Sequence, residues 1–230
     1  LLARLARASG LQILTNTGFY GAIGNKYLPR FALDETPKQL ASRWEREFKL
    51  GIPPAGIRPG FIKIGVDAGP LSEIDAKLVS AAALAHSNTG LVIMAHTGDG
   101  VAALAELDVL KRNHVPASAF IWAHAQNEKD TNAHLRVAGK GAWVEFDGIS
   151  EEGLGRHLEL ILNMKQHRLL DRVLISQDSG WYHVGEPRGG DFRGYDFLFQ
   201  NFLPAARKAG LAENDIHLLL AENPRRALAS

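Results

Sequence analysis

The chain has 230 residues, with 26 lysines and arginines against 25 aspartates and glutamates, and no cysteine. That length suits one α/β barrel or two small domains, and the near balance of charge speaks against nucleic-acid binding driven by bulk charge. Without cysteine there is no disulfide scaffold, thiolate metal site, iron–sulfur cluster or cysteine nucleophile, and no apolar run approaches the roughly 20 residues of a membrane span.

The chain opens LLARLARASG, with no methionine. Leu1, Leu2, Leu5 and Ala8 fit one helical face and Gly10 is placed to end it, so the segment reads as the tail of a helix whose earlier part is missing. An upstream targeting segment stays open, and the cytoplasm is the expected compartment. Strands are expected at 11–15, 61–66, 91–96, 119–124, 142–146 and 172–176. Most are apolar on both faces, as in parallel sheets covered on each side. Helical patterns lie at about 37–49, 71–88, 99–113, 128–139, 151–168, 195–209 and 213–228, with Gly51, Gly90, Gly141 and Gly210 where helices should stop.

Such a series of βα units fits a doubly wound sheet or a (β/α)8 barrel. No GxGxxG follows the first strand. Polar residues cluster instead at or just after strand ends: Thr17, His96, His124, Asp147 and Asp178. In a barrel that rim carries the active site. The expectation is therefore one α/β barrel domain over 1–230, with about six of eight βα units present and its N-terminal part missing. The stretch Gly180–Gly194 is too rich in glycine and aromatics for a helix and reads as a long functional loop after the last strand. Its aromatics leave room for a homodimer.

His96 and His124 are terminal polar residues of apolar strands. Each shares parity with its strand's supposed inward residues, Val92 and Met94 for one, Phe120 and Trp122 for the other. Neutral imidazole is a common zinc ligand, and hydrogen-bonded core histidines are the plainer alternative. The remaining His86, His114, His134, His157, His167, His183 and His217 lie on helices or loops. Lys63 sits between Ile62 and Ile64, and a buried ammonium is costly. It can pair with Asp178 or Glu145, form a Schiff base with a carbonyl substrate, or capture carbon dioxide as an anionic carbamate able to bridge two cations. Asp178, after RVLIS, can bind a metal and accept a proton from water, or simply cap a turn.

Read together, TGFY (17–20), GFIKIG (60–65), MAHTGDG (94–100), WAHA (122–125), EFDG (145–148), SQDSGW (176–181) and ENPRRAL (222–228) resemble the phosphotriesterase-like family of the amidohydrolase superfamily. The resemblance implies a (β/α)8 barrel with two divalent metals, zinc foremost, at its C-terminal rim. It makes Lys63 the carboxylated bridging ligand, with carbon dioxide as the source of the added group. It puts His96 and His124 on the more exposed metal, and Asp178 on the more buried metal as proton acceptor. Tyr20 falls where the family lines its substrate pocket. Trp181 and His183, in the final loop, are the expected further substrate contacts. The family's His-x-His pair is absent here, as if the first two strands were missing. Gly148 stands where organophosphate hydrolases and lactonases of the family carry His or Arg, and Arg188 or His183 is placed to replace that cation. The implied activity is metal-dependent hydrolysis of a small ester-type substrate: a lactone, a carboxylic ester or a phosphoester. The rivals are a Schiff-base aldolase-type barrel with Lys63 as nucleophile, and a pseudo-enzyme that binds ligand without catalysis.

Overall fold

A computed structural model describes residues 2–228. Six strands follow in chain order: β1 (Asn16–Thr17), β2 (Phe61–Val66), β3 (Ile93–Thr97), β4 (Phe120–Ala123), β5 (Trp143–Phe146) and β6 (Val173–Ile175). They form one sheet of order β1-β2-β3-β4-β5-β6, and every neighbouring pair is parallel. Helices fill the connections: α1 (Leu2–Ser9), α2 (Arg30–Asp34), α3 (Pro37–Leu50), α4 (Glu73–Thr89), α5 (Gly100–Arg112), α6 (Thr131–Gly139), α7 (Leu154–Gln166), α8 (Leu203–Lys208), α9 (Glu213–His217) and α10 (Asn223–Leu228). The result is six of the eight βα units of a (β/α)8 barrel. No helix among the described residues is long and apolar enough to cross a membrane.

Local sequence explains most boundaries. Thr36 and Ser72 each close a capping box at the start of α3 and α4, with Gln39 and Asp75 reaching back. Gly90 ends α4 in the left-handed conformation at φ 77°. The first strand, expected at 11–15, instead lies just after that run, as the two-residue β1. Residues 11–15 are irregular, and Leu11, Ile13 and Leu14 are exposed. Among the described residues β1 pairs on one side only, and a lone partner gives an edge segment little reason to extend. Two expected long helices are interrupted by π turns at Leu198–Phe202 and Leu218–Glu222. Each precedes a proline, Pro204 or Pro224, whose missing N–H and bulky ring break the regular bonding of the turn before.

The sheet separates two apolar clusters. Outward residues, among them Ile62, Ile64, Ala95, Phe120, Trp122, Val144 and Phe146, join the helices in the main core. Inward residues Val92, Ile121, Trp143 and Leu174 form a smaller plug with Phe61, Met94, Ala227 and Leu228. Asn223 anchors α10 to the base of β6 by donating to the carbonyls of Leu170 and Val173 at 2.9 and 2.8 Å. Above the plug the barrel interior opens.

Candidate active site

Alternation along the strands places the polar set. On β2, Phe61 belongs to the plug, so Lys63 points inward two residues higher. On β3, His96 follows Val92 and Met94 on the inner face. On β5, Glu145 and Asp147 stand above Trp143. These residues, with Asp178, Tyr20, Tyr27 and Trp181, line one cavity of about 820 Å³.

His124 enters this cavity by a different route from the one its parity suggested. The inner residues of β4 are Ile121 and Ala123, paired with Met94 and His96, while Phe120 and Trp122 face the helices. His124 lies one residue past the strand, with a left-handed φ of 63°. That turn carries its ring back over the rim, 4.6 Å from the His96 ring centroid. Asp147 holds it there. One carboxylate oxygen accepts the His124 backbone N–H at 2.9 Å and the other pairs with Nδ1 at 2.8 Å. An Nδ1–H committed to a carboxylate leaves Nε2 as the free donor atom.

Gln126 completes the support. Its amide donates to Asp147 Oδ1 at 2.8 Å and accepts the Asp147 N–H at 3.1 Å. A Cβ on Gly148 would stand 2.8 Å from Gln126 Nε2, so Gln126 occupies the space that a side chain at 148 would need. Asp147 was visible in the sequence as a polar strand end. Gln126 and Tyr27 carried no signal there.

The electrostatics divide the set. Burial, then His124 and Lys63, push His96 down to about 4, so its imidazole is neutral. Burial would also lower His124, but the hydrogen bond and charge of Asp147 outweigh it and raise the group. Asp147 is correspondingly lowered, the His124 bond overcoming the cost of burial. Lys63 and Glu145 keep some exposure toward the cavity, yet protein surrounds both. Burial drives the Lys63 amine down against the opposing pull of Glu145, Asp147 and Asp178. Burial and Asp147 raise Glu145 to about 7.

An aromatic wall faces these groups. Tyr20 packs edge-on against His96 at 5.0 Å and beside Tyr27 at 6.1 Å. Gly65 makes room for it, since a Cβ there would strike the Tyr20 ring at 2.8 Å. Trp181 closes the wall from the loop after β6.

Other candidates fall elsewhere. Thr17 is buried and donates to Glu47 of α3, away from the cavity. His183 is not among the residues lining the cavity; it stands half-exposed on the final loop, 3.8 Å from Glu186. Arg188 is on the same exposed loop. His134 and His157 are buried structural residues, bonded to the carbonyls of Ala125 and Gly153. Leu1, expected on the first helix, lies outside the described residues.

Comparison with known proteins agrees with this architecture. The phosphotriesterase homology protein of Escherichia coli K12 is 28% identical over 222 residues, which cover 95% of this chain and 74% of that one. The N-acetyltaurine hydrolase of Dictyostelium discoideum is 27% identical over 240 residues, and the chain spans 64% of its length. The crystal structure of the Escherichia coli phosphotriesterase homology protein, complexed with phosphate in its active site, superposes with a TM-score of 0.86 at 26% identity, covering 97% of this chain and 77% of that one. The model of the phosphotriesterase family matches residues 1–228, and the chain belongs to that family.

Proposed function

We propose that the chain carries the catalytic rim of a metal-dependent hydrolase acting on an ester-type bond: a lactone, a carboxylic ester or a phosphoester. The observation that carries this reading is a single cavity gathering Lys63, two neutral-capable imidazoles and Asp178 beneath an aromatic wall. Two divalent ions, zinc first among the candidates, would be held by Lys63, His96, His124 and Asp178. Among the described residues no three His, Asp or Glu side chains form a ready ligand group. The fit lies in donor chemistry instead. His96 is neutral, His124 offers Nε2, and Lys63 is pushed toward the free amine. That amine is the form that adds carbon dioxide: Nζ bonds to the carbon, one N–H proton leaves to solvent, and an anionic oxygen donor results.

Bound ions would supply Lewis-acid activation of water and of the scissile C=O or P=O. The protein's own part is separable from that chemistry. Asp178 takes the proton from the attacking water and passes it to the leaving group or solvent. Asp147 keeps His124 in one tautomer and orientation. Tyr20, Tyr27 and Trp181 orient the apolar part of the substrate.

Protein purified without chelator in bicarbonate should contain zinc or a similar divalent ion. Isotopically labelled bicarbonate should yield a carbamate resonance that Lys63→Ala abolishes. A panel of neutral lactones, carboxylic esters and phosphotriesters should be hydrolysed faster than N-acyl taurines. Protein that takes up no divalent ion in bicarbonate, or that leaves every ester intact once loaded with zinc, would overturn the reading, as would borohydride trapping of a carbonyl substrate on Lys63.

A further inference from the structure

Asp178 adopts φ 45°, in the left-handed region that costs a non-glycine residue free energy. Its surroundings show what holds it there. The Arg193 guanidinium donates to the carbonyl of Asp178 at 2.8 Å, to the carbonyl of Gln177, and through Nε to Ser179 Oγ at 3.0 Å. One side chain, fifteen residues downstream, thus fastens three consecutive residues of the turn. The Trp181 indole adds a second donor to the Asp178 carbonyl, at 2.8 Å.

The same neck is closed in the opposite direction. The Gly180 N–H donates to the Arg193 carbonyl at 3.2 Å, and Gln177 Nε2 donates to the Tyr195 carbonyl at 2.7 Å. Gln177 Oε1 in turn accepts the Leu198 N–H at 2.9 Å. Both ends of the long rim loop therefore meet at Asp178. Arg193 does not line the cavity, whereas Asp178 and Trp181 do. A planar fork of donors suits this cluster of acceptors, and a lysine ammonium cannot reproduce it.

We propose that Arg193 is the positioning residue for Asp178: by pinning the backbone of residues 177–179 it aims the carboxylate that, on the metal-hydrolase reading above, binds metal and accepts the proton. The Asp178 carbonyl accepts from both Arg193 and Trp181, so the loop residue that lines the cavity and the turn that carries the carboxylate share one anchor.

A double-mutant cycle tests this. Zinc affinity is measured in bicarbonate by competition with a chromogenic chelator for the wild-type chain, Arg193→Ala, Arg193→Lys, Asp178→Asn and the double variant Arg193→Ala/Asp178→Asn. Arg193→Ala should weaken zinc binding about 10- to 100-fold, the range for residues that orient a ligand. Arg193→Lys should restore little of that loss. The double variant should bind no more weakly than Asp178→Asn alone, because the arginine then has nothing left to aim. Unchanged affinity in Arg193→Ala overturns the assignment, as does a loss that adds in full to that of Asp178→Asn, since loop stabilisation would then be its role. A wild-type chain whose zinc binding is absent or indifferent to Asp178→Asn overturns the metal reading, and this assignment with it. Response to Asp178→Asn but not to Arg193→Ala removes this assignment alone.

Discussion

The lower and upper halves of the barrel interior are built on the same strands and do opposite things. Below lie Phe61, Val92, Met94, Ile121, Trp143 and Leu174, an apolar plug. Above lie Lys63, His96, Glu145 and Asp147, lining the cavity. The change takes two residues along a strand: Phe61 to Lys63, Trp143 to Glu145, roughly 6–7 Å of rise. The plug gains free energy by excluding water. The rim keeps charged groups near low-dielectric walls, where their proton affinities shift. Folding and chemistry should therefore be separable by substitutions two residues apart.

The largest effect should come from the plug. Trp143 is 1% exposed, and its indole donates to the Ser118 carbonyl at 3.1 Å. Trp143→Ala should lose about 3–5 kcal/mol in denaturant unfolding, from lost burial plus the cavity left behind. Two residues above the neighbouring plug residue Phe61, Lys63→Met should behave in the opposite way. It removes an amine that burial disfavours in its charged form, so the metal-free melting temperature should hold or rise. Metal content should vanish, and kcat/KM should fall at least about 100-fold, some 2.7 kcal/mol of barrier at 1.36 per decade. Lys63→Met that unfolds the protein while retaining metal would merge the two halves into one structural unit.

Asp147→Asn sharpens the comparison within the rim. The amide can still contact the His124 backbone N–H but no longer offers an anion to Nδ1–H. Loss of that orientation should weaken zinc binding about 10- to 100-fold, with His124 titrating at lower pH by NMR. An unshifted His124 would show that the Asp147 contact does not set its protonation.

The two halves were not equally legible in the sequence. The parallel βα series follows from apolar runs at regular spacing, whereas the plug was read only in part: Val92 and Met94 were expected inward, but on β4 the inward residue is Ile121, not Phe120 or Trp122. Lys63 and His96 announced themselves because each breaks an apolar alternation on its inner face. His124 reached the expected place against its parity, since a left-handed residue past the strand end redirects the side chain. Parity describes strands, and His124 is not in one. Gln126 was invisible because its role depends on the empty space at Gly148, a relation between two loops with no periodic pattern. The π turns escaped because helical periodicity in 195–209 and 213–228 masks what Pro204 and Pro224 do to the turn before them.

A smaller effect is expected in the layer outside the sheet. Glu106 on α5 is fully buried beside Thr97, at the end of β3, and burial raises it to about 8. Thr97 Oγ1 donates to Glu106 Oε2 at 2.6 Å, but this single bond does not offset the burial of the carboxylate. The folded state thus holds this proton more tightly than the unfolded chain does. Its contribution falls as pH rises from about 4.5, the ordinary glutamate range, toward 8. Glu106→Gln keeps a donor without the proton equilibrium. It should lose less stability than the wild type between pH 5 and pH 8, seen as a flatter stability–pH profile. Equal slopes for both proteins would mean that Glu106 is ionised and paired in the fold.

The smallest effects separate the rim from the loop that surrounds it. Trp181 lines the cavity, while His183, two residues on, turns toward Glu186 at 3.8 Å. That ion pair joins two half-exposed side chains, and exposed pairs are worth little. Substitution of His183 should therefore leave metal content intact and alter kcat/KM within about twofold for every substrate, roughly 0.4 kcal/mol of barrier. Trp181→Ala should instead change the ranking of substrates, since it removes part of the wall that meets their apolar groups. It should also loosen the turn at Asp178, because its indole no longer bonds to the Asp178 carbonyl. Kinetics on a short and a long-chain lactone distinguish the two positions: a ranking altered by His183→Ala and untouched by Trp181→Ala would show that the loop closes over the substrate in another arrangement, bringing His183 inward.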